Sequence, residues 1–96
     1  MTHEVRLSPV AKRDLDRLAK FLGGKSVTAS AKVVRVLRSA VESLAEMPER
    51  GRPAHTGKRE LIVPFGSSAY LIRYRVDQTA VVVTRNFHSL EDRPLA

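Results

Sequence analysis

The sequence predicts an α+β fold, β-α-α-β-β-β, in which an antiparallel sheet packs on an α-helical hairpin. Three observations carry that expectation. Apolar residues recur at helical spacing from Ala11 to Met47, with one break at Gly23–Gly24. Three β-branched apolar runs follow between Leu61 and Arg85, joined by short polar connections. Ninety-six residues of 43% apolar content suit one modest core of two layers, so residues 1–96 are read as a single domain.

Glu4–Val5–Arg6–Leu7 alternates polar and apolar, as a short strand with one covered face would. Ser8–Pro9 then starts a helix. The serine hydroxyl accepts from a free backbone N–H, and proline at the first helical position loses no needed donor. Ala11, Leu15, Leu18 and Leu22 form the apolar stripe of this helix, with Lys12, Arg13, Asp16, Arg17 and Lys20 on its other faces. Gly23–Gly24 ends it.

The second helix is expected from roughly Thr28 to Met47. Val33, Leu37, Ala40, Leu44 and Met47 form its stripe, which Val34 and Val41 widen. Pro48 stops it, and Glu49–Arg50–Gly51–Arg52–Pro53 is a turn-rich exit. Two such helices joined by a few residues make an antiparallel hairpin that still needs something to cover.

The strands supply it. Leu61–Val63, Ala69–Val76 and Ala80–Arg85 are separated by Gly66–Ser67–Ser68 and Asp77–Gln78–Thr79, which predicts an antiparallel meander. In the middle strand Tyr70, Ile72, Tyr74 and Val76 share the face expected to meet the helices. Leu71, Arg73 and Arg75 share the opposite face, where the arginines would stay solvated or meet a partner. Tyr70 and Tyr74, alternating with Ile and Val, read as core residues rather than base-stacking platforms.

The net charge of +7 favours nucleic acid, a ribonucleoprotein or an acidic protein as partner. With no cysteine, disulfides and thiolate metal sites are excluded. A small secreted domain usually needs such staples, so a cytoplasmic location is expected. The N-terminal MTHEVRLSP has no long apolar run, and neither a signal peptide nor a membrane span is expected.

No phosphate-binding glycine loop, no Cys/His metal spacing and no nucleophile elbow occurs, so neither metal nor cofactor is expected. Arg73, Arg75 and Arg85 carry forked donors suited to phosphate or carboxylate, the alternative being a face solubilised by charge. His88 suits general acid or base work near neutral pH, the alternative being an exposed histidine or one bonded to the tail carboxylates. Arg59 and Glu60 read as a surface pair of little energetic weight.

The chain resembles the RelE/ParE superfamily of type II toxin–antitoxin toxins over nearly its whole length. The resemblance rests on Leu7–Ser8–Pro9–x–Ala11–x–x–Asp14–Leu15 and Leu44–x–x–Met47–Pro48–x–x–Gly51–Arg52. It continues in Arg59–Glu60–Leu61, Tyr70–x–x–x–Tyr74–Arg75–Val76 and Arg85–x–Phe87–His88–Ser89–x–Glu91–Asp92–Arg93. Each piece is weak alone; their order and spacing make them specific.

The resemblance implies a RelE/ParE-like fold and one of two activities. ParE-like members inhibit DNA gyrase and are not nucleases. RelE- and YoeB-like members cut mRNA on the ribosome. In RelE-like chains an arginine follows the first tyrosine of the Tyr70–Tyr74 motif; here Leu71 stands there. The paired lysines before that strand are absent, Val63–Pro64–Phe65 occupying the region, and the nucleases' terminal tyrosine has no counterpart. These departures favour the ParE-like reading. A nuclease would have to use Arg73, Arg85 and His88.

The resemblance further implies a small acidic antitoxin that wraps the toxin, a pairing suited to a basic chain. Arg59, Arg73, Arg75, Arg85, His88 and Arg93, with Val34 and Val41 beside a groove between the helical hairpin and the sheet edge, are the expected contacts with target or antitoxin. A third reading keeps the fold as a non-toxic binding module.

Overall fold

A computed structural model describes residues 2–23 and 27–94. In chain order it comprises β1 (Glu4–Leu7), α1 (Pro9–Gly23), α2 (Val27–Ser43), β2 (Arg52–Pro53), β3 (Arg59–Phe65), β4 (Ser68–Val76) and β5 (Ala80–His88), with one 3-10 turn at His55–Gly57. The expected helix break at Gly24 and the side chain of Leu22 lie outside what is described.

Helix α1 starts as its sequence dictates. Ser8 Oγ accepts the Ala11 N–H at 3.0 Å and donates to the Thr84 carbonyl at 3.1 Å, so one hydroxyl caps the helix and pins it to β5. Ser30 Oγ donates to the Ala19 carbonyl at 2.9 Å and ties the two helices together.

Helix α2 ends at Ser43, four residues before the expected Met47. Ser43 Oγ turns back to the Ala40 carbonyl at 2.6 Å, and the next amides bond three residues back, Leu44 to Val41 and Ala45 to Glu42. A side chain competing for helix carbonyls tightens the last turn in this way. Leu44 nevertheless stays fully buried, whereas Met47 is exposed.

The sheet order is β1-β5-β4-β3-β2. The predicted meander is its centre: β3–β4 and β4–β5 pair antiparallel. Strand β1 lies parallel to β5, which is possible because the helical hairpin lies between them in sequence. The two-residue β2, not foreseen, pairs with the start of β3 alone. Beyond that pairing one side of β3 carries no strand among the described residues, which is why Pro64 is tolerated within it.

Tyr70, Ile72 and Tyr74 pack with Val81, Val83, Leu61 and Val63 beneath Ala11, Leu18, Val33, Leu37 and Leu44. Val76, expected in that layer, is 37% exposed where β4 runs out past the helices. Strand β5 carries a bulge: Arg73 pairs with Arg85 but Tyr74 with Val83, leaving Thr84 as the extra residue. Past the bulge the alternation resets, so Asn86 stands opposite Ile72 and His88 opposite Tyr70 on the helix-covered face. Leu71 and Phe87, paired on the other face, are 5% and 2% exposed yet stand apart from the main core.

Candidate functional site

Two ionic clusters organise the C-terminal half. The first centres on Asp14, whose side chain is 2% exposed. Arg85 Nε and Nη2 donate to its two oxygens at 2.8 and 3.2 Å, the Asn86 N–H donates at 2.9 Å, and Arg17 adds a further short bond. Arg17 also grips Glu91 through two bonds of 3.1 and 3.0 Å and donates to the Asn86 carbonyl at 3.1 Å. Helix α1, strand β5 and the C-terminal turn thus meet in one charge-balanced network of two arginines and two carboxylates.

Burial opposes the charge on Asp14, but the donors from Arg85, Asn86 and Arg17 outweigh it and hold the carboxyl below its ordinary 3.8. Glu91 behaves alike: burial raises it, while Arg17 and the His88 N–H bring it below its ordinary 4.5. Depressed folded values mean that this stabilisation is complete above those ordinary values and is lost as the pH falls through the lowered ones. The midpoint in urea is therefore expected to be flat from pH 7 to about 5 and to drop below about 4. An Asp14→Asn variant, lacking one of the two titrating groups, should show a shallower fall.

The second cluster centres on Arg73. It was expected to be solvated or to meet a partner; instead it is 5% exposed. Its Nε and Nη2 both donate to Glu60 Oε2, at 3.0 and 2.9 Å, and its Nη1 donates to the Pro94 carbonyl. The segment after β5 folds back across the open sheet face to make that bond. Arg73 and Arg85 both lie over the Phe87 ring, 5.3 and 4.6 Å from its centre.

Arg59 and Glu60, expected as a surface pair, do not pair. Neighbours in a strand point to opposite faces. Glu60 turns to Arg73, while Arg59 donates to the Gly51 carbonyl at 2.7 Å. Beside it, Tyr74 Oη donates to the Pro48 carbonyl at 2.8 Å and accepts the Gly51 N–H at 2.7 Å.

His88 is 8% exposed rather than a free terminal histidine. Its ring meets Tyr70 edge-on at 5.2 Å, and its Nδ1 accepts the Leu90 N–H at 3.1 Å. Of the remaining expected residues, Arg75 is exposed, 3.6 Å from Asp77 at the far end of β4. Arg93 is exposed beside the Ser89 carbonyl. The fold therefore brings Arg73 and Arg85 together over Phe87 and Arg93 into the hollow that Arg73 lines, puts His88 on the opposite, helix-covered face, and leaves Arg59 and Arg75 toward the other end of β3 and β4.

Val34 and Val41 belong to the helical layer. A groove of about 320 Å³ is lined by Leu7, Lys12, Leu15, Arg38 and Val41, and a neighbouring depression of about 210 Å³ includes Val34. Val41 is 4% exposed, so it forms the floor of the groove instead of presenting a flank. Lys12 and Arg38, which line both hollows, place two cations beside an apolar surface.

Sequence reasoning read Glu60 as the surface partner of Arg59, Arg17 as an outer-face helix residue, and Asp14 and Glu91 as parts of the family motifs, and did not foresee the ionic clusters they form. The signal for Asp14 was its position, three residues after Ala11 and four before Leu18, inside the apolar stripe. Among the described residues, no group of three or more His, Cys, Asp or Glu side chains could hold a metal ion, and no helix is long and apolar enough to cross a membrane.

The model of the ParE toxin of the type II toxin–antitoxin system, parDE, matches residues 5–93. The chain is similar to Toxin RelE1 of Caulobacter vibrioides, with 45% identity over 93 residues that cover 97% of this chain and 100% of the relative. Toxin RelE3 of the same organism is 39% identical over 89 residues, covering 93% and 97%. Among solved structures, a chain of the chromosomal ParDE toxin–antitoxin system from P. aeruginosa aligns with a TM-score of 0.79 over 91% of this chain and 96% of its own. At 19% identity that likeness is one of fold. A chain of the toxin–antitoxin complex RelBE2 from Mycobacterium tuberculosis aligns with a TM-score of 0.60 at 28% identity, over 92% and 99%. With nearly its whole length matched by that family model, the chain belongs to the ParE toxin family of type II toxin–antitoxin systems, within the RelE/ParE superfamily.

Proposed function

We propose that the chain is a ParE-like toxin that inhibits DNA gyrase, acts in the cytoplasm as one unit over residues 1–96, and is neutralised by a small acidic antitoxin. One observation carries the choice of gyrase over message cleavage. All three side chains that a nuclease would have to use are engaged within the molecule. Arg73 is held by Glu60 and Pro94, Arg85 by Asp14, and the His88 ring by Tyr70 and the Leu90 N–H. A guanidinium already neutralised by a carboxylate has little left to offer a scissile phosphate. Leu71, buried beside Phe87, offers no charge where a nuclease of this superfamily has an arginine.

The antitoxin part of the proposal rests on the groove between the helices. Its apolar floor and its two cations suit an amphipathic segment carrying carboxylates, and the net charge of +7 would speed the encounter. Neutralisation would then occur on the helical layer, opposite the sheet face that carries Arg73.

Purified toxin is expected to block supercoiling by gyrase and to leave translated mRNA intact on ribosomes. Normal supercoiling at excess toxin would refute the proposal. A second reading, a ribosome-dependent endoribonuclease, is favoured by the names of the RelE-type relatives. It requires codon-positioned cuts that disappear in Arg73→Ala or His88→Ala.

A further inference from the structure

Among the described residues, the most exposed large apolar side chain is Leu90, at 86%. It sits at the tip of a tight turn, His88–Ser89–Leu90–Glu91, closed by the Glu91 N–H donating to the His88 carbonyl at 3.0 Å. A leucine on a slack terminal segment would carry no meaning, since isolated exposed apolar residues are ordinary. This turn is not slack.

Its backbone is fastened at successive points. The Ser89 N–H donates to the Ala69 carbonyl of β4 at 2.9 Å, and the Leu90 N–H to His88 Nδ1 at 3.1 Å. Glu91 Oε1 accepts the His88 N–H at 2.8 Å, while both its oxygens are gripped by Arg17, which is itself locked to buried Asp14. Beyond the turn, the Pro94 carbonyl is bonded to Arg73. A set of bonds reaching the centre of the fold thus immobilises a loop whose one apolar side chain points into solvent. Ordering costs met in the free protein are not met again on binding.

We propose that Leu90 is the anchor by which the toxin engages its protein target, inserting into an apolar socket, with the exposed Arg93 beside it contacting the socket's carboxylate edge. His88 then acts as a positioning residue: its ring holds the amide of Leu90 and has no chemical step to perform. Glu91 and Arg17 act in the same way, at the other side of the turn. The inference rests on the reading of the chain as a target-poisoning toxin, but on growth arrest rather than on gyrase in particular.

The test uses Leu90→Asp and Arg93→Ala in the full chain, measured for growth arrest on induction, supercoiling inhibition, thermal midpoint and affinity for the antitoxin. Leu90→Asp is expected to raise the dose for arrest about tenfold or more, and Arg93→Ala by less, with midpoint and antitoxin affinity unchanged. His88→Asn, which keeps an acceptor near the Leu90 N–H, should retain more toxicity than His88→Leu of equal stability. Arrest by Leu90→Asp at the wild-type dose would overturn the anchor, and so would a wild-type chain that arrests nothing. Antitoxin affinity falling in step with toxicity would overturn it too, assigning the turn to neutralisation. If wild-type toxin arrests growth without touching supercoiling, gyrase alone is wrong, and the Leu90→Asp dose still decides the anchor.

Discussion

Asp14→Ala is expected to destabilise the protein by about 3 kcal/mol, the low end of what breaking a buried ion pair costs. The substitution leaves the Asn86 N–H without its acceptor and takes from Arg85 the carboxylate that binds it, while Arg17 loses one bond and keeps its two to Glu91. Arg85 and Arg17 side chains are 25% and 40% exposed, so water recovers part of the loss; the Asn86 amide, fully buried, recovers nothing. Urea unfolding near pH 7 measures the effect. A double variant, Asp14→Ala with Arg85→Met, should be more stable than the additive sum, because the second change removes a charge that the first left unpaired. A loss under about 1 kcal/mol for Asp14→Ala would mean that the cluster contributes no more than an exposed pair.

Gly51→Ala is expected to cost about 3 kcal/mol, for a different reason. A Cβ at Gly51 would lie 2.7 and 2.8 Å from Tyr74 Oη and Cε1, and 2.9 Å from the Glu60 carbonyl oxygen. One neighbour is backbone of β3; the other is a tyrosine that is fully buried. Neither side yields without shifting a strand or withdrawing the hydroxyl from its bonds to Gly51 and Pro48. For a domain of this size the thermal midpoint should fall by more than about 10 °C. Tyr74→Phe, which removes the same two bonds but creates no clash, should cost only about 1–2 kcal/mol. Equal losses in the two variants would show that the hydrogen bonds, not the close approach, set the requirement for glycine.

The order and type of the main elements were legible because periodicity marks the covered face of each helix, and because β-branched runs bounded by turn residues mark the strands even where, as in β4 from Tyr70 to Tyr74, both faces are buried. Residue pairing was harder to read. The hairpin turn at Gly66–Ser67 fixes the register from Phe65 and Ser68 back to Glu60 and Arg73. Counting back from that turn would have set Glu60 against Arg73 and denied the arginine its solvent. The bulge at Thr84 left no comparable trace. Without it, strict alternation cannot bring Val81, Val83, Asn86 and His88 to one face, and His88 reads as exposed. Helix α2 ended early through a serine hydroxyl, a local competition that an apolar stripe running on to Met47 conceals. The burial of Arg73 depends on the tail crossing the sheet, a long-range contact that no local pattern encodes.

The parallel pairing of β1 with β5 has a consequence for the timing of synthesis. Val5 waits for Val81 and Leu7 for Val83, while Asp14 waits for Arg85 and Arg17 for Glu91. Each pair joins the first strand or helix to the last strand or the turn beyond it. A nascent chain with its final strand still inside the ribosomal exit tunnel holds a helical hairpin whose main charge cluster has no basic half from β5. The helices emerge long before the sheet face can close. The helical layer is thus translated before the meander it covers, and the face carrying Arg73 closes only once β5 and the segment beyond it have emerged.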